Sequence, residues 1–150
     1  MRRTTAAALV CVVLTGLGGC SSRTEQYCAA LEDRQQALRE LADGAGAGDR
    51  DFLGESIAIF EDLRDGAPED VVDEWDTVIV ALQGLDRSLR DAGLTSAEFT
   101  PGQRPEGVTE AQMNAIEGAA EDLRATDVAE AGNGIEQHAQ DVCKVDLSVS

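Results

Sequence analysis

Val71, Trp75, Val78, Ile79, Leu82, Leu85 and Leu89 recur at three- and four-residue intervals between Pro68 and Gly93. That spacing draws one apolar stripe down a helix. A half-buried strand needs strict alternation bounded by turn residues, and no stretch of this chain combines the two. The fold class expected is therefore all-α, an antiparallel helical bundle of four to five helices, and a length of 150 residues allows one small domain. Helix 68–92 carries the clearest signals. Pro68 suits a first helical position, where its missing N–H has no partner to lose. Glu69, Asp70, Asp73 and Glu74 crowd the first turns and Arg87 and Arg90 the last, the signs that the helix dipole favours. Gly93 supplies a stop.

The remaining helices follow from the same period. Cys28, Leu31, Leu38 and Leu41 share a face of a first helix over 24–41, with Gln35 the one polar residue on that stripe. The glycines of Asp43-Gly44-Ala45-Gly46-Ala47-Gly48 then break the pattern into a flexible connection. Leu53, Ile57, Phe60 and Leu63 define a second helix over 51–64, closed by Asp65-Gly66. Residues 94–108 hold Pro101, Gly102, Pro105 and Gly107, and form the longest non-helical stretch. It reads as slack or a simple crossover, although loops of this length can be functional. Within it Thr95 and Glu98 can cap a single turn, with Phe99 pinning the loop to the body. Thr109 opens a fourth helix as T-x-x-Q with Gln112, and Val108 and Met113 occupy the positions of a hydrophobic staple. Met113, Ile116, Ala120 and Leu123 face inward. A fifth helix, capped by Thr126, carries Val128, Ala131, Ile135, Ala139, Val142 and Cys143, with Asn133-Gly134 as a kink or break inside it.

The start of the chain reads as an address. Arg2 and Arg3 precede an uncharged apolar run from Ala6 to Leu17. As helix that run spans about 18 Å, short of the ~30 Å bilayer core, so it fits a signal-peptide core and not a spanning helix. It ends in Leu17-Gly18-Gly19-Cys20, which resembles the bacterial lipobox, where a peptidase cuts before a cysteine carrying diacylglycerol. The expected division is a signal peptide over 1–19, a lipidated tether over 20–25 starting at Cys20, a bundle over 26–145 and a loose tail over 146–150. Palmitate-type acyl chains on Cys20 place the mature chain at the cell membrane, on its extracytoplasmic face. Removing Arg2 and Arg3 leaves 10 basic and 29 acidic residues, a charge of −19. So acidic a body is repelled by anionic lipid and is expected to stand off the bilayer. Phosphate is repelled too, so nucleic acid is not an expected partner.

Of four cysteines, Cys11 falls in the discarded segment and Cys20 takes the lipid. Cys28 and Cys143 remain, one near each end of the body. An oxidising compartment favours a disulfide between them, with two buried free thiols as the alternative. In an up-and-down bundle those ends meet only after an even number of full spans. With five helices, one must be short or the fourth and fifth must act as one bent span; we expect the last span to divide near Ala125-Thr126.

Chemistry is sparse. One histidine, His138, rules out sites that need two. It is expected at a polar or boundary position close to Glu136 and Asp141. The acidic run Glu69, Asp70, Asp73, Glu74, Asp76 reads as a solvated helix start, because carboxylates on a helix do not converge as Ca²⁺ requires. Asp49-Arg50-Asp51-Phe52-Leu53-Gly54 begins like a calcium loop, but Leu53 stands at a ligand position and Phe60 at the twelfth. Gly54-Glu55-Ser56-Ile57-Ala58 lacks the strand that a nucleophile elbow needs. No catalytic, metal or cofactor site is assigned.

Tyr27-Cys28-Ala29-Ala30, Phe60-Glu61-Asp62-Leu63 leading to Ala67-Pro68, Asp73-Glu74-Trp75 and Asp141-Val142-Cys143 together resemble a group of small helical lipoproteins of actinobacteria. Eleven arginines against the single Lys144 fit a GC-rich genome. The resemblance implies an all-helical body and paired cysteines, and carries no activity. The function expected is a membrane-tethered, non-enzymatic interaction or binding module of the cell envelope, its partner an envelope protein or a small ligand. The alternatives are an envelope hydrolase and a structural surface protein. A pocket lined by Trp75, Met113 and Phe99 would point to a small ligand, and a solid core with an exposed apolar patch to a protein.

Overall fold

The computed structural model describes residues 22–44, 51–100 and 102–147. Five helices follow in order: α1 (Arg23–Gly44), α2 (Phe52–Gly66), α3 (Val72–Asp91), α4 (Glu110–Asp122) and α5 (Thr126–His138). A 3-10 turn at Ser96–Glu98 and a π turn at Ala139–Cys143 complete the elements, and no strand occurs among the described residues. The fold is all-helical, as the periodicity predicts. Cys20 and the signal segment lie outside the described residues, as do most of the 43–48 glycine connection and residues 148–150.

Local chemistry sets the helix starts. The Ser22 backbone N–H donates to Glu25 Oε2 at 2.7 Å and the Glu25 N–H to Ser22 Oγ at 3.2 Å, a reciprocal cap. Helix therefore begins at Arg23, inside the 20–25 stretch. Asp51 caps α2 by accepting from the Gly54 N–H. Thr109 and Gln112 form the predicted capping box, with Val108 and Met113 both buried beside it. Gly93 takes a φ of +75°, and Leu94 N–H returns to Leu89 O at 2.9 Å while Gly93 N–H reaches Arg90 O at 2.9 Å. This left-handed stop ends α3 where the sequence places it.

Two starts differ from expectation. Pro68 is not the first residue of a helix. The residue before a proline is held extended, and Ala67 ends α2 with ψ 141°. Residues 68–71 then close a turn, Val71 N–H to Pro68 O at 3.2 Å, before α3 begins at Val72. Glu69 and Asp70 belong to that turn, leaving Asp73 and Glu74 at the helix start. Thr126 is the first residue of α5 and not its cap; the cap position is Ala125, which has no capping side chain.

Helix α3 is the axis against which α2, α4 and α5 pack, and α1 lies against α2 and the π turn. Gln112 at the start of α4 donates to Asp91 O at the end of α3, and Glu74 at the start of α3 lies against Gly134 of α5. The α4–α5 pair thus runs back along α3 as one antiparallel span divided at residues 123–125, the arrangement that the two cysteines require. Asn133-Gly134 breaks nothing: α5 is continuous, and a Cβ at Gly134 would stand 3.1 Å from Glu74 Cγ.

The core has two parts. One gathers Tyr27, Leu31, Leu63, Val71, Trp75, Ile79, Ile135, Ala139 and Val145. The other holds Leu53, Leu89 and Ile116, with Phe99 packed on it. Ile57 and Phe60 are half-buried. Thr95 and Glu98 cap the predicted single turn, and Ser96 Oγ donates to Asp51 Oδ1 at 2.9 Å, tying this loop to the α2 start. Backbone and hydroxyl hydrogen bonds from Thr95 hold the Glu98 carboxyl below its ordinary pKa.

Candidate functional site

The chemistry-bearing side chains collect where α1 begins and α5 ends. Cys28 and Cys143 are joined there, their Cα atoms 4.9 Å apart and 115 residues apart in sequence. The π turn makes this possible. Its extra residue shifts the helical register, so Cys143 turns toward α1 while Val142, predicted inward, is 47% exposed. Lys144 then closes the turn in the left-handed region at φ 60°. The tail expected to be loose from 146 is held as far as it is described. Val145 is buried, Leu147 packs on the core, and Gln35 donates to Asp146 O at 2.6 Å. That bond accounts for the one polar residue on the α1 stripe.

Beneath the bridge lies an aromatic group. Trp75 Nε1 donates to the Tyr27 hydroxyl at 2.9 Å. Phe60 meets the indole edge-on at 5.2 Å between centroids, and His138 meets Tyr27 in the same manner at 5.6 Å. His138 is not at the boundary beside Glu136 and Asp141. Its side chain is 8% exposed, and the nearest carboxylate is Asp70 of the α2–α3 turn, with Nε2 3.6 Å from Oδ2. Its own helix registers it inward, between Ile135 and Ala139. Neither ring nitrogen has a hydrogen-bond partner in the protein and both are closed to solvent. Each such atom costs about 1–3 kcal/mol. A general base must reach a proton on substrate, and this ring has both nitrogens closed to solvent and faces Tyr27 and Asp70.

The other singled-out residues separate. In the acidic run, Asp76 pairs with Arg64 at 2.7 Å, Asp70 faces His138 and Glu74 covers Gly134. The described residues include no group of three potential metal ligands. Ser56 Oγ donates to Phe52 O, a helix-surface bond. Trp75 and Phe99 belong to different halves of the core, so the pocket imagined for them with Met113 does not form. Open grooves do occur among the described residues: about 600 Å³ along Val80, Ala81, Asp122 and Val128; about 380 Å³ along Ser22, Ala29, Val142 and the disulfide; and about 260 Å³ under Phe99. No described helix is long and apolar enough to cross a membrane.

Sequence reading missed Tyr27 as a core residue. The signal is its place four residues before Leu31, at the head of the α1 stripe.

Burial pushes the Tyr27 hydroxyl from its ordinary 10.0 to about 12; the Trp75 hydrogen bond offsets part of the rise and the Asp70 charge adds to it. The neutral form is thus favoured in the fold. Its contribution to stability is complete below pH 10 and lost as pH climbs toward 12. Tyr27 is the chain's one tyrosine. Tyrosinate absorbance should therefore titrate near 12 in the native protein and near 10 in denaturant; a native midpoint at 10 would contradict the burial.

Comparison with protein-family models, curated proteins and solved structures returns no match to this chain.

Proposed function

We propose that the chain is an exported lipoprotein of the small helical kind its strings resemble, anchored by acyl chains on Cys20. Its bundle serves as a non-enzymatic binding module on the outer face of the cell membrane, for an envelope protein or a small ligand. The observation that carries the reading is the placement of Cys28 against Cys143, since a bridge spanning the whole body belongs to an oxidising compartment. Two further features support it. Helix starts at Arg23, so only Ser21 and Ser22 separate it in sequence from the lipobox cysteine. The one imidazole is enclosed, so it does not offer a solvent-accessible general base.

The test is expression in a bacterium that lipidates exported proteins. The mature N-terminal peptide should begin at Cys20 and carry the mass of diacylglycerol, and vesicles should float the protein. Cys20→Ala should leave an unlipidated precursor in the soluble fraction. Equal flotation of the two proteins would sink the anchor.

A further inference from the structure

Resting on that anchor, we infer that the bundle is seated against the bilayer through one defined surface: the first three turns of α1, the disulfide and the π turn. The partner of this surface is the headgroup layer of a zwitterionic membrane. The argument begins with reach. Only Ser21 lies between Cys20 and Ser22, so the two flanking Cα atoms are at most about 7 Å apart. Ser22 is no free end, since it is locked into the reciprocal cap with Glu25 and its carbonyl accepts from the Gln26 N–H at 3.1 Å. The length of chain that would let the acidic body stand away from lipid does not exist.

What adjoins Ser22 therefore adjoins the membrane. Ser22 lines a groove with Thr24, Cys28, Ala29, Val142 and Cys143. Val142 is one of two large apolar side chains that the described residues expose, the other being Val80 at 62%. The π turn that brings Cys143 onto Cys28 also turns Val142 out beside the lipidated end. Glu25 and Glu32 flank the groove, so this surface suits neutral and not anionic headgroups. Val80 lies on the separate α3 groove, about 12 Å further along α3 from its start. The 3-10 turn and the start of α4 project away from the bilayer.

Photo-crosslinking reads the orientation. Benzoylphenylalanine is placed at Val142, at Ala29 or at Val80 in the lipidated protein, reconstituted in phosphatidylcholine vesicles. Lipid adducts at 142 and 29 should exceed those at 80 at least fivefold, and Cys20→Ala protein mixed with the same vesicles should give none. Two groove positions guard against one that disturbs the fold. Equal yields, or more adduct at 80, from protein that floats would overturn the seating and leave the anchor standing. Protein that does not float would remove the anchor and the seating with it.

Discussion

Reduction of the Cys28–Cys143 bridge, or Cys28→Ser, should lower stability by about 5 kcal/mol, the chain-entropy value for a closed loop of this length. At roughly 3–5 °C per kcal/mol for a body of this size, the melting temperature falls by about 15–25 °C. The loss is large because of where α1 sits. It packs chiefly on α2 and the π turn and meets α3 through the Tyr27–Trp75 pair, and the sequence that follows it is rich in glycine. Cys143→Ser should cost as much as Cys28→Ser, and the double substitution should cost little more than either. Thermal unfolding followed by circular dichroism with and without reductant decides it; superimposable curves would show that the bridge carries no stability.

How far the molecule is legible from its residues depends on which interaction decides each feature. Helix existence was legible because burial repeats with the helical period, as in Val71, Trp75, Ile79 and Leu89. Caps were legible where a side chain makes them, at Thr109, Asp51 and Thr95. They were misplaced where backbone geometry or tertiary packing rules instead. Pro68 looked like a helix start, yet its ring acts on Ala67 and makes a turn. Thr126 looked like a cap, yet Ala125 takes that place without a side-chain bond.

The ends held more than the sequence could reveal. No local signal announces a π turn, so Val142 was assigned to the core and Asp146 to a loose tail. Nor could spacing say that Asp70, far from His138 in sequence, would be its nearest carboxylate. That pairing depends on the bridge, the α2–α3 turn and the α5 register together. The division of the last span, by contrast, followed from counting: two cysteines at opposite ends of the chain admit an even number of spans, and α4 and α5 lie along α3 as one.

The second large effect belongs to Trp75, which sits where all these constraints meet. It is buried among Leu31, Leu63, Ile79 and Ala139, with Phe60 on its edge and its N–H on the Tyr27 oxygen. Trp75→Ala should cost about 3–5 kcal/mol, the range for emptying an aromatic site in a packed core. Domains of this size hold about 5–15 kcal/mol in total, so the variant should unfold at far lower urea, as measured by circular dichroism. Two milder changes separate volume from the hydrogen bond. Trp75→Phe keeps a ring and removes the donor, while Tyr27→Phe keeps the ring and removes the acceptor; each should cost about 1–3 kcal/mol. Together they should cost less than their sum, because the second change removes the group that the first left unpaired. Strict additivity would mean that the 2.9 Å bond contributes nothing and that Trp75 acts by volume alone. A loss under about 1 kcal/mol for Trp75→Ala would mean that the core is not packed around it.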